Sequence, residues 1–294
     1  MKKLLVIAIT AVMILSMTAI AMAETTVGGE LNFGYQLENA GAAKGDFGDA
    51  KITTNVKLGD NFTVFGAFKA SDVTNKVGFD EVWGKFSEGF GTVQVGYWGQ
   101  NTKDNMDILA AHNDIKPTEA IKATFNVAKG VTVAGYLSRP NMGTEDQGSL
   151  YGINPAYAND KWGVDAYYVA SSEDGYALND VASNPANSVT AVNGFYNVNA
   201  AAKVYANYTS VEPVTGDNTN KAYIGLNYDS ADMPVYARVE AQVEKPDSQD
   251  SNALAFRVGY KINNNARIQY ENINTGLTGN DTDKTSTLKL NVLF

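Results

Sequence analysis

Apolar and polar residues alternate along most of the chain after residue 24. In 235–244, Val and Ala occupy every odd position, and Tyr, Arg, Glu and Gln occupy the even ones. Successive side chains of a β-strand point to opposite faces, so this period of two predicts a strand with one apolar and one polar face. The pattern recurs and predicts sixteen strands, at 25–38, 49–58, 61–70, 78–86, 92–99, 119–128, 131–139, 149–157, 161–171, 188–198, 202–210, 220–229, 234–244, 253–262, 265–274 and 284–294.

The segments at 149–157 and 188–198 are the weakest, and without them the count is fourteen. In 188–198 the apolar parity slips, which indicates a β-bulge. A short helix is predicted only at 105–111, inside a long connection. Tight connections rich in Gly, Asn and Asp alternate with longer ones, which fall at 39–48, 71–77, 100–118, 140–148, 172–187, 211–219, 245–252 and 275–283. This alternation is typical of an up-and-down antiparallel β-barrel with tight turns at one end and long loops at the other.

The direction in which the apolar face points follows from the number of strands. Strands of about ten residues can cross a bilayer at a tilt. Sixteen of them enclose a space too wide for side chains to fill, so the interior must hold water and the apolar parity must face lipid. Aromatic residues of that parity cluster at both strand ends, as they do at membrane interfaces. One set is Phe62, Phe86, Trp162, Tyr196, Tyr228, Tyr260 and Phe294, and the other is Tyr35, Phe68, Tyr97, Tyr151, Tyr168 and Tyr208.

The first 23 residues have the features of a secretory signal peptide. Lys2 and Lys3 precede an apolar run at 4–15, and the small residues Ala21 and Ala23 form a cleavage site. We therefore expect cleavage after Ala23 and a single barrel domain at 24–294. Loss of the two lysines takes the net charge from −9 to −11, which argues against nucleic-acid binding. Cys is absent, and no segment has the spacing of a calcium loop, so we expect neither a metal site nor a cofactor.

Four features of the sequence resemble general, non-specific bacterial outer-membrane porins. The segment 25–35 is similar to the first strand of that family, and 89–96 resembles its turn into the fifth strand. The connection at 100–118 lies where the family has its third loop. The C-terminal Phe294 resembles the signal that barrel assembly machinery recognises. One departure is that Tyr97 follows Gly96, where the family often has Arg.

The resemblance implies a homotrimer of sixteen-stranded, water-filled channels whose third loop folds inward and narrows the pore. The implied partners are small hydrophilic solutes and ions, outer-membrane lipid and the barrel assembly machinery. The constriction loop would be about 100–118. Its charged residues are Lys103, Asp104, Asp107, His112 and Asp114.

Charged residues of the polar parity are the candidates for lining the pore. The basic set is Lys51, Lys57, Lys69, Lys85, Lys122, Arg238, Arg257 and Arg267, and the acidic set is Glu30, Glu81, Asp165, Glu240 and Glu271. Opposed rows of opposite sign would create a transverse field across the lumen. We prefer Arg238 and Arg257 as the central basic pair, because each lies near the middle of a strand. The acidic mature chain and the acidic loop predict a mild cation preference.

Other functions fit the sequence less well. With one His and no Cys, a nucleophilic triad would have only His112 as its base, and no hydrolase, zinc-protease or P-loop motif occurs, so no enzymatic activity is expected. A structural or adhesive barrel is a further possibility. The main alternative is a substrate-specific channel for sugars or organic acids, which would use aromatic residues of the polar parity: Phe65, Trp83, Tyr136, Tyr167, Tyr205, Tyr223 and Tyr236.

Overall fold

A computed structural model of the chain describes residues 23–38, 45–71, 76–100, 106, 108–109, 115–138, 149–172, 186–245, 251–275 and 283–293. These residues form sixteen strands, in which each strand pairs antiparallel with the next and β1 pairs with β16, so that the sheet closes into a barrel. The strands are β1 Ala23–Glu38, β2 Gly45–Leu58, β3 Phe62–Ser71, β4 Lys76–Glu88, β5 Gly91–Gln100, β6 Ile115–Ala128, β7 Val131–Ser138, β8 Leu150–Ala158, β9 Trp162–Ser171, β10 Ala186–Asn197, β11 Ala202–Pro213, β12 Thr219–Asp229, β13 Val235–Lys245, β14 Ser251–Asn263, β15 Ala266–Thr275 and β16 Asp283–Leu293.

The prediction of an all-β antiparallel barrel with sixteen strands is confirmed, and the two weak segments are β8 and β10. A register shift lies at the loop end of β10, between Ala186 and Ser188. The apolar parity of β10 slips for a second reason. Val189 faces inward, where it packs in an apolar cluster with Trp98 and Leu150 from other strands.

Side-chain exposure is the reverse of that in a soluble barrel. On β12 and β13, the outward Ile224 and Val239 are 57% and 44% exposed, whereas the inward Tyr223 and Glu240 are 4% and 0% exposed. The described side chains of both predicted aromatic bands lie on the outward face, whereas the Tyr35 side chain and Phe294 lie outside the described part of the chain. Outward rings more than a third exposed are Phe62, Phe86, Trp162, Tyr196 and Tyr260 near the tight turns, and Tyr97, Tyr151, Tyr168 and Tyr208 near the loops. The sheet therefore presents apolar side chains outward and keeps polar ones for the lumen.

The longest predicted connection is shorter than expected. Because β5 ends at Gln100 and β6 begins at Ile115, the predicted loop at 100–118 is reduced to 101–114. Of the predicted helix at 105–111, the structure describes Met106, Ile108 and Leu109, and none of the three is helical. No helix in the described ranges is long and apolar enough to cross a membrane. The predicted signal peptide lies, except for Ala23 at the start of β1, outside the described residues.

Candidate functional site in the barrel lumen

The connection between β5 and β6 reaches the opposite wall of the barrel. The backbone N–H groups of Ile108 and Leu109 donate hydrogen bonds of 2.9 Å and 2.8 Å to the Glu240 Oε2 atom. Glu240 lies at the middle of β13, which is eight positions from β5 in the closed ring of sixteen strands. Strands eight positions apart face each other across the barrel. Within the segment 106–109, the described residues Met106, Ile108 and Leu109 therefore lie against the wall opposite β5.

The carboxylate of Glu240 is saturated with hydrogen-bond donors. Its Oε1 atom accepts a bond of 3.1 Å from the Tyr205 hydroxyl and one of 3.4 Å from Arg238 Nη1. The side chain is 0% exposed. A buried carboxylate is tolerated only when such partners replace water, and its bonds to backbone N–H groups are among the stronger ones in proteins. Glu240 thus fixes two consecutive peptide groups of the connection against the wall.

An apolar contact lies beside this polar anchor. Met106 is 6% exposed and packs in one cluster with Tyr205 of β11 and Tyr223 of β12, while Leu109 and Phe195 pack against that cluster. Burial of one such apolar side chain contributes about 1.5–3 kcal/mol. The segment 106–109 is consequently held on β10–β13 by packing as well as by hydrogen bonds.

A glycine allows each of two inward tyrosines near this anchor, Tyr236 and Tyr205, to lie flat on the wall. In the register of β13, β14 and β15, Tyr236 faces Gly259, and Gly259 faces Gln269. A Cβ atom at Gly259 would lie 2.1 Å from Cζ of the Tyr236 ring, so the ring covers the bare backbone of the middle strand. The Tyr236 hydroxyl then donates a bond of 2.8 Å to Gln269 Oε1 on the third strand.

Tyr205 repeats this arrangement two strands earlier. It lies over Gly225, where a Cβ atom would come within 2.2 Å of its ring, and its hydroxyl reaches Glu240. A guanidinium group lies over each ring, Arg238 over Tyr205 at 5.5 Å and Arg267 over Tyr236 at 5.8 Å from the ring centre. Flat rings leave the lumen open, and their π-faces hold the cations in place.

Replacement of Gly259 by alanine should lower the free energy of unfolding by about 1–3 kcal/mol, because the new methyl group displaces the Tyr236 ring from a packed wall. Urea unfolding of the refolded protein in lipid, followed by tryptophan fluorescence, measures the change. Gly135→Ala is the matched control, since no atom lies within 4 Å of a Cβ at that position. Equal stability of the two variants would contradict the flat-ring arrangement.

The register places all the predicted pore-lining charges of the wall on the inward face. These are Lys51, Lys57, Lys69, Lys85, Lys122, Arg238, Arg257 and Arg267, together with Glu30, Glu81, Asp165, Glu240 and Glu271. The predicted loop residues Lys103, Asp104, Asp107, His112 and Asp114, and the C-terminal Phe294, lie outside the described residues.

Arg238 and Arg257, the preferred basic pair, are direct cross-strand partners. Arg257 donates from Nε at 2.9 Å and from Nη2 at 2.6 Å to Glu271 Oε2, and Lys289 Nζ lies 2.7 Å from the other oxygen of that carboxylate. Glu240 holds Arg238 in a similar way. Acids and bases therefore interleave along the described wall instead of forming two opposed rows.

The predicted set omits several inward charges of the described strands, which include Lys289 and Asp80 as well as Lys203, Lys221, Asp229 and Lys261. Lys289 is on the polar parity of β16, so a complete count of that parity would include it. Asp80 has the apolar parity, and a register shift between β3 and β4 turns it inward, where its carboxylate lies 2.7 Å from Lys51 Nζ. The inward direction of the Asp80 side chain therefore follows from the strand register and not from the sequence pattern.

The inward aromatic residues form separate groups. Phe65 and Trp83 stack with ring centres 4.9 Å apart on β3 and β4, and both are half-buried. Tyr136 meets Trp98 edge-on at 6.4 Å. Tyr167, Tyr205, Tyr223 and Tyr236 are each less than a tenth exposed, so they act as parts of the wall.

The closed ring, its apolar outer face and its polar inner face define a sixteen-stranded β-barrel of the bacterial outer-membrane type. No protein-family model matches the chain, and no curated protein matches it in sequence. Solved structures do match in fold.

Three of these structures represent the similarity. The anion-selective porin from Comamonas acidovorans has 13% sequence identity and a TM-score of 0.67 over 92% of this chain and 100% of that one. A mutant of the Rh. blastica porin has 14% identity and a TM-score of 0.68 over 92% and 100%. The trimer form of OmpT, an outer membrane protein of Vibrio cholerae, has 11% identity and a TM-score of 0.69 over 92% and 99%. At these identities, the similarity is one of fold.

Proposed function

We propose that the protein is an outer-membrane porin through which small hydrophilic solutes and ions diffuse passively. The hydrogen bonds from Ile108 and Leu109 to Glu240 carry this proposal, because Glu240 is on the inward face of β13, across the ring from β5. A segment inside a wide, water-filled barrel narrows it without filling it, which sets a size limit for solutes. The charged side chains around Glu240 then interact electrostatically with the solutes and ions that pass.

The cellular context is part of the same proposal. The signal peptide at 1–23 directs export, barrel assembly machinery recognises the C-terminus at Phe294, and the outward apolar face contacts outer-membrane lipid. A homotrimer fits this context, and a solved structure of similar fold is described as a trimer form. No catalytic step is proposed, because solutes cross unchanged.

Liposome swelling tests the proposed channel. Vesicles that contain the refolded protein should swell in arabinose at a rate several times that of empty vesicles, and swelling should slow as the sugar becomes larger, because the lumen is open but narrowed. Vesicles with heat-denatured protein are the control. Swelling no faster than that of the control would contradict the proposal and favour a structural or adhesive barrel.

A second candidate function is a substrate-specific channel for sugars or organic acids. The half-buried Phe65–Trp83 stack favours it, since both rings lie on the inward face and Trp83 Nε1 donates to Glu81 at 3.3 Å. Specific channels saturate, whereas general porins do not. Sugar flux that is linear in concentration supports the general porin, and flux that reaches a plateau supports the specific channel.

A further inference from the structure

We infer that a binding site for sugars lies on the inward face of β2–β5, where the rings of Phe65 and Trp83 pack against a pyranose ring and the polar side chains around them bind its hydroxyl groups. We call this group the stack site, and it consists of Asn55, Phe65, Glu81, Trp83, Lys85 and Gln94. The inference rests on the proposed channel. It locates the binding step that the second candidate function requires, and it favours sugars over organic acids.

The strand register brings the members of the stack site together. Phe65 of β3 lies between Asn55 of β2 and Trp83 of β4, each of which is its direct cross-strand partner. Glu81 and Lys85 lie two residues to either side of Trp83, on the same face of β4. The two rings therefore form the centre of a patch whose edges are polar.

The two rings are held in place before any solute arrives. Their centres lie 4.9 Å apart with 21° between the planes, and Trp83 Nε1 donates a bond of 3.3 Å to Glu81. Trp83 also packs against the apolar cluster that contains Trp98. Both rings of the stack are half-buried, so part of each remains accessible to water. A ligand that packs against fixed rings pays little of the usual ordering cost.

The polar side chains around the rings have unused hydrogen-bonding capacity. Among the described residues, none forms a side-chain hydrogen bond or ion pair with Asn55, Lys85 or Gln94. The amides on β9–β11 differ, because they are buried and bond to neighbouring side chains, as Asn193 does to Asp165 at 2.8 Å. Donors and acceptors for a solute are therefore available on β2–β5 rather than on β9–β11.

The stack lies across the ring from the contact made by the β5–β6 connection. Met106 of that connection packs against Tyr205 of β11 and Tyr223 of β12. These two strands are each eight positions from β3 and β4, which carry the stack. Phe65 and Tyr205 are both the fourth residue of a strand that begins at a tight turn, so they lie at corresponding levels. A solute that passes the narrowed part of the lumen therefore passes the stack.

The chemistry of the stack site matches a neutral sugar. A pyranose ring has C–H groups on its faces and hydroxyl groups at its edge, which suits aromatic rings bordered by amides and charged groups. Glu81 and Lys85 carry opposite charges on either side of Trp83, so this pair favours neither sign of solute. An open-chain organic acid has no ring face to pack against the stack.

A comparison of glucose with sorbitol tests the inference in planar bilayers. Sorbitol is the open-chain reduction product of glucose, so it has similar size and hydroxyl groups but no ring. We expect glucose at millimolar concentrations to reduce the open-channel current of the wild type until the reduction saturates. Sorbitol should reduce the current only in proportion to the viscosity that it adds.

Two variants assign this effect to the stack site. The glucose concentration for a half-maximal reduction should rise about ten-fold in Phe65→Leu, because one stacking ring is lost. It should rise about five-fold in Asn55→Ala, because one hydrogen bond to the sugar is lost. Asn55 is exposed, so its replacement leaves the fold intact.

The matched controls make the same substitutions away from the stack site. Phe86 is 39% exposed on the outward face of β4, and Asn264 is exposed in the tight turn between β14 and β15. Phe86→Leu and Asn264→Ala should keep the wild-type response to glucose. Equal effects of glucose and sorbitol, or a wild-type glucose response in both Phe65→Leu and Asn55→Ala, would overturn the inference and leave the channel proposal standing. Absence of current steps in the wild type would instead overturn the channel proposal, and the inference with it.

Discussion

Single-channel conductance should rise about two-fold when Glu240 is replaced by leucine, because the segment 106–109 loses its anchor and no longer narrows the lumen. Leucine keeps the approximate volume of the side chain and removes both oxygens, so Ile108, Leu109, Tyr205 and Arg238 all lose their hydrogen bonds to residue 240, and the two backbone N–H groups lose the acceptor that holds the segment. Each donor left buried without a partner costs about 1–3 kcal/mol. Recordings in planar bilayers measure the conductance step and its open-state noise, and both should increase.

Two further variants separate the anchor from a general effect of charge. Glu240→Gln keeps an oxygen that can accept both backbone N–H groups, so its conductance should stay close to that of the wild type. Glu271→Leu also removes a buried lumen carboxylate, but the bonds of Glu271 are to Arg257 and Lys289 on the wall. Glu271→Leu should therefore alter ion preference and leave the conductance step largely unchanged. Wild-type conductance in Glu240→Leu would show that the segment does not depend on this carboxylate.

Insertion into lipid should fail or be strongly impaired when Ile224 is replaced by lysine. Ile224 lies at the middle of β12 on the outward face and is 57% exposed, so in the proposed membrane its side chain meets hydrocarbon. A lysine at the bilayer midplane of such a barrel costs about 2–4 kcal/mol. Urea titration of the protein folded into phospholipid vesicles measures this loss of stability.

The control for this variant introduces a lysine on the inward face of the barrel instead. Thr124 of β6 points inward and pairs with the small residues Thr92 and Ala134, so Thr124→Lys places the charge in the water-filled lumen. Its stability should lie within about 0.5 kcal/mol of the wild type, as for surface changes elsewhere. Similar losses for the two variants would mean that the outward face does not meet lipid.

The site was only partly predictable. The sequence predicts Arg238 and Arg257 on the inward face near the middle of their strands, because parity and strand position are local properties of the sequence. Their direct contact in the register supports that choice. The acids were found on the correct face, but the partners of Glu240 and Glu271 depend on which strands are neighbours and on how they align. No local pattern contains that information, so the interleaving of the two signs was not predicted.

The contact between the β5–β6 connection and the opposite wall shows even more clearly that a local sequence pattern does not predict which distant residues meet. Ile108 and Glu240 are 132 positions apart in the chain, and only closure of the ring brings them together. The resemblance to porins implied an inward loop, but the sequence offered no reason to choose Glu240 as its anchor. The role of Gly259 could not be predicted from the sequence either. A glycine within a strand does not indicate which side chain lies over it, and only the structure shows that the Tyr236 ring covers Gly259.

The sequence alone determined the barrel, because a period of two fixes which side chains share a face, and sixteen such segments with alternating connections leave few other ways to satisfy every backbone hydrogen bond. It also determined that the apolar face points outward, since so wide a ring cannot be filled. The tertiary structure decided which charges meet, that Asp80 turns inward, and where the connection rests. These depend on register and ring closure, which relate residues far apart in the chain and leave no periodic trace in it.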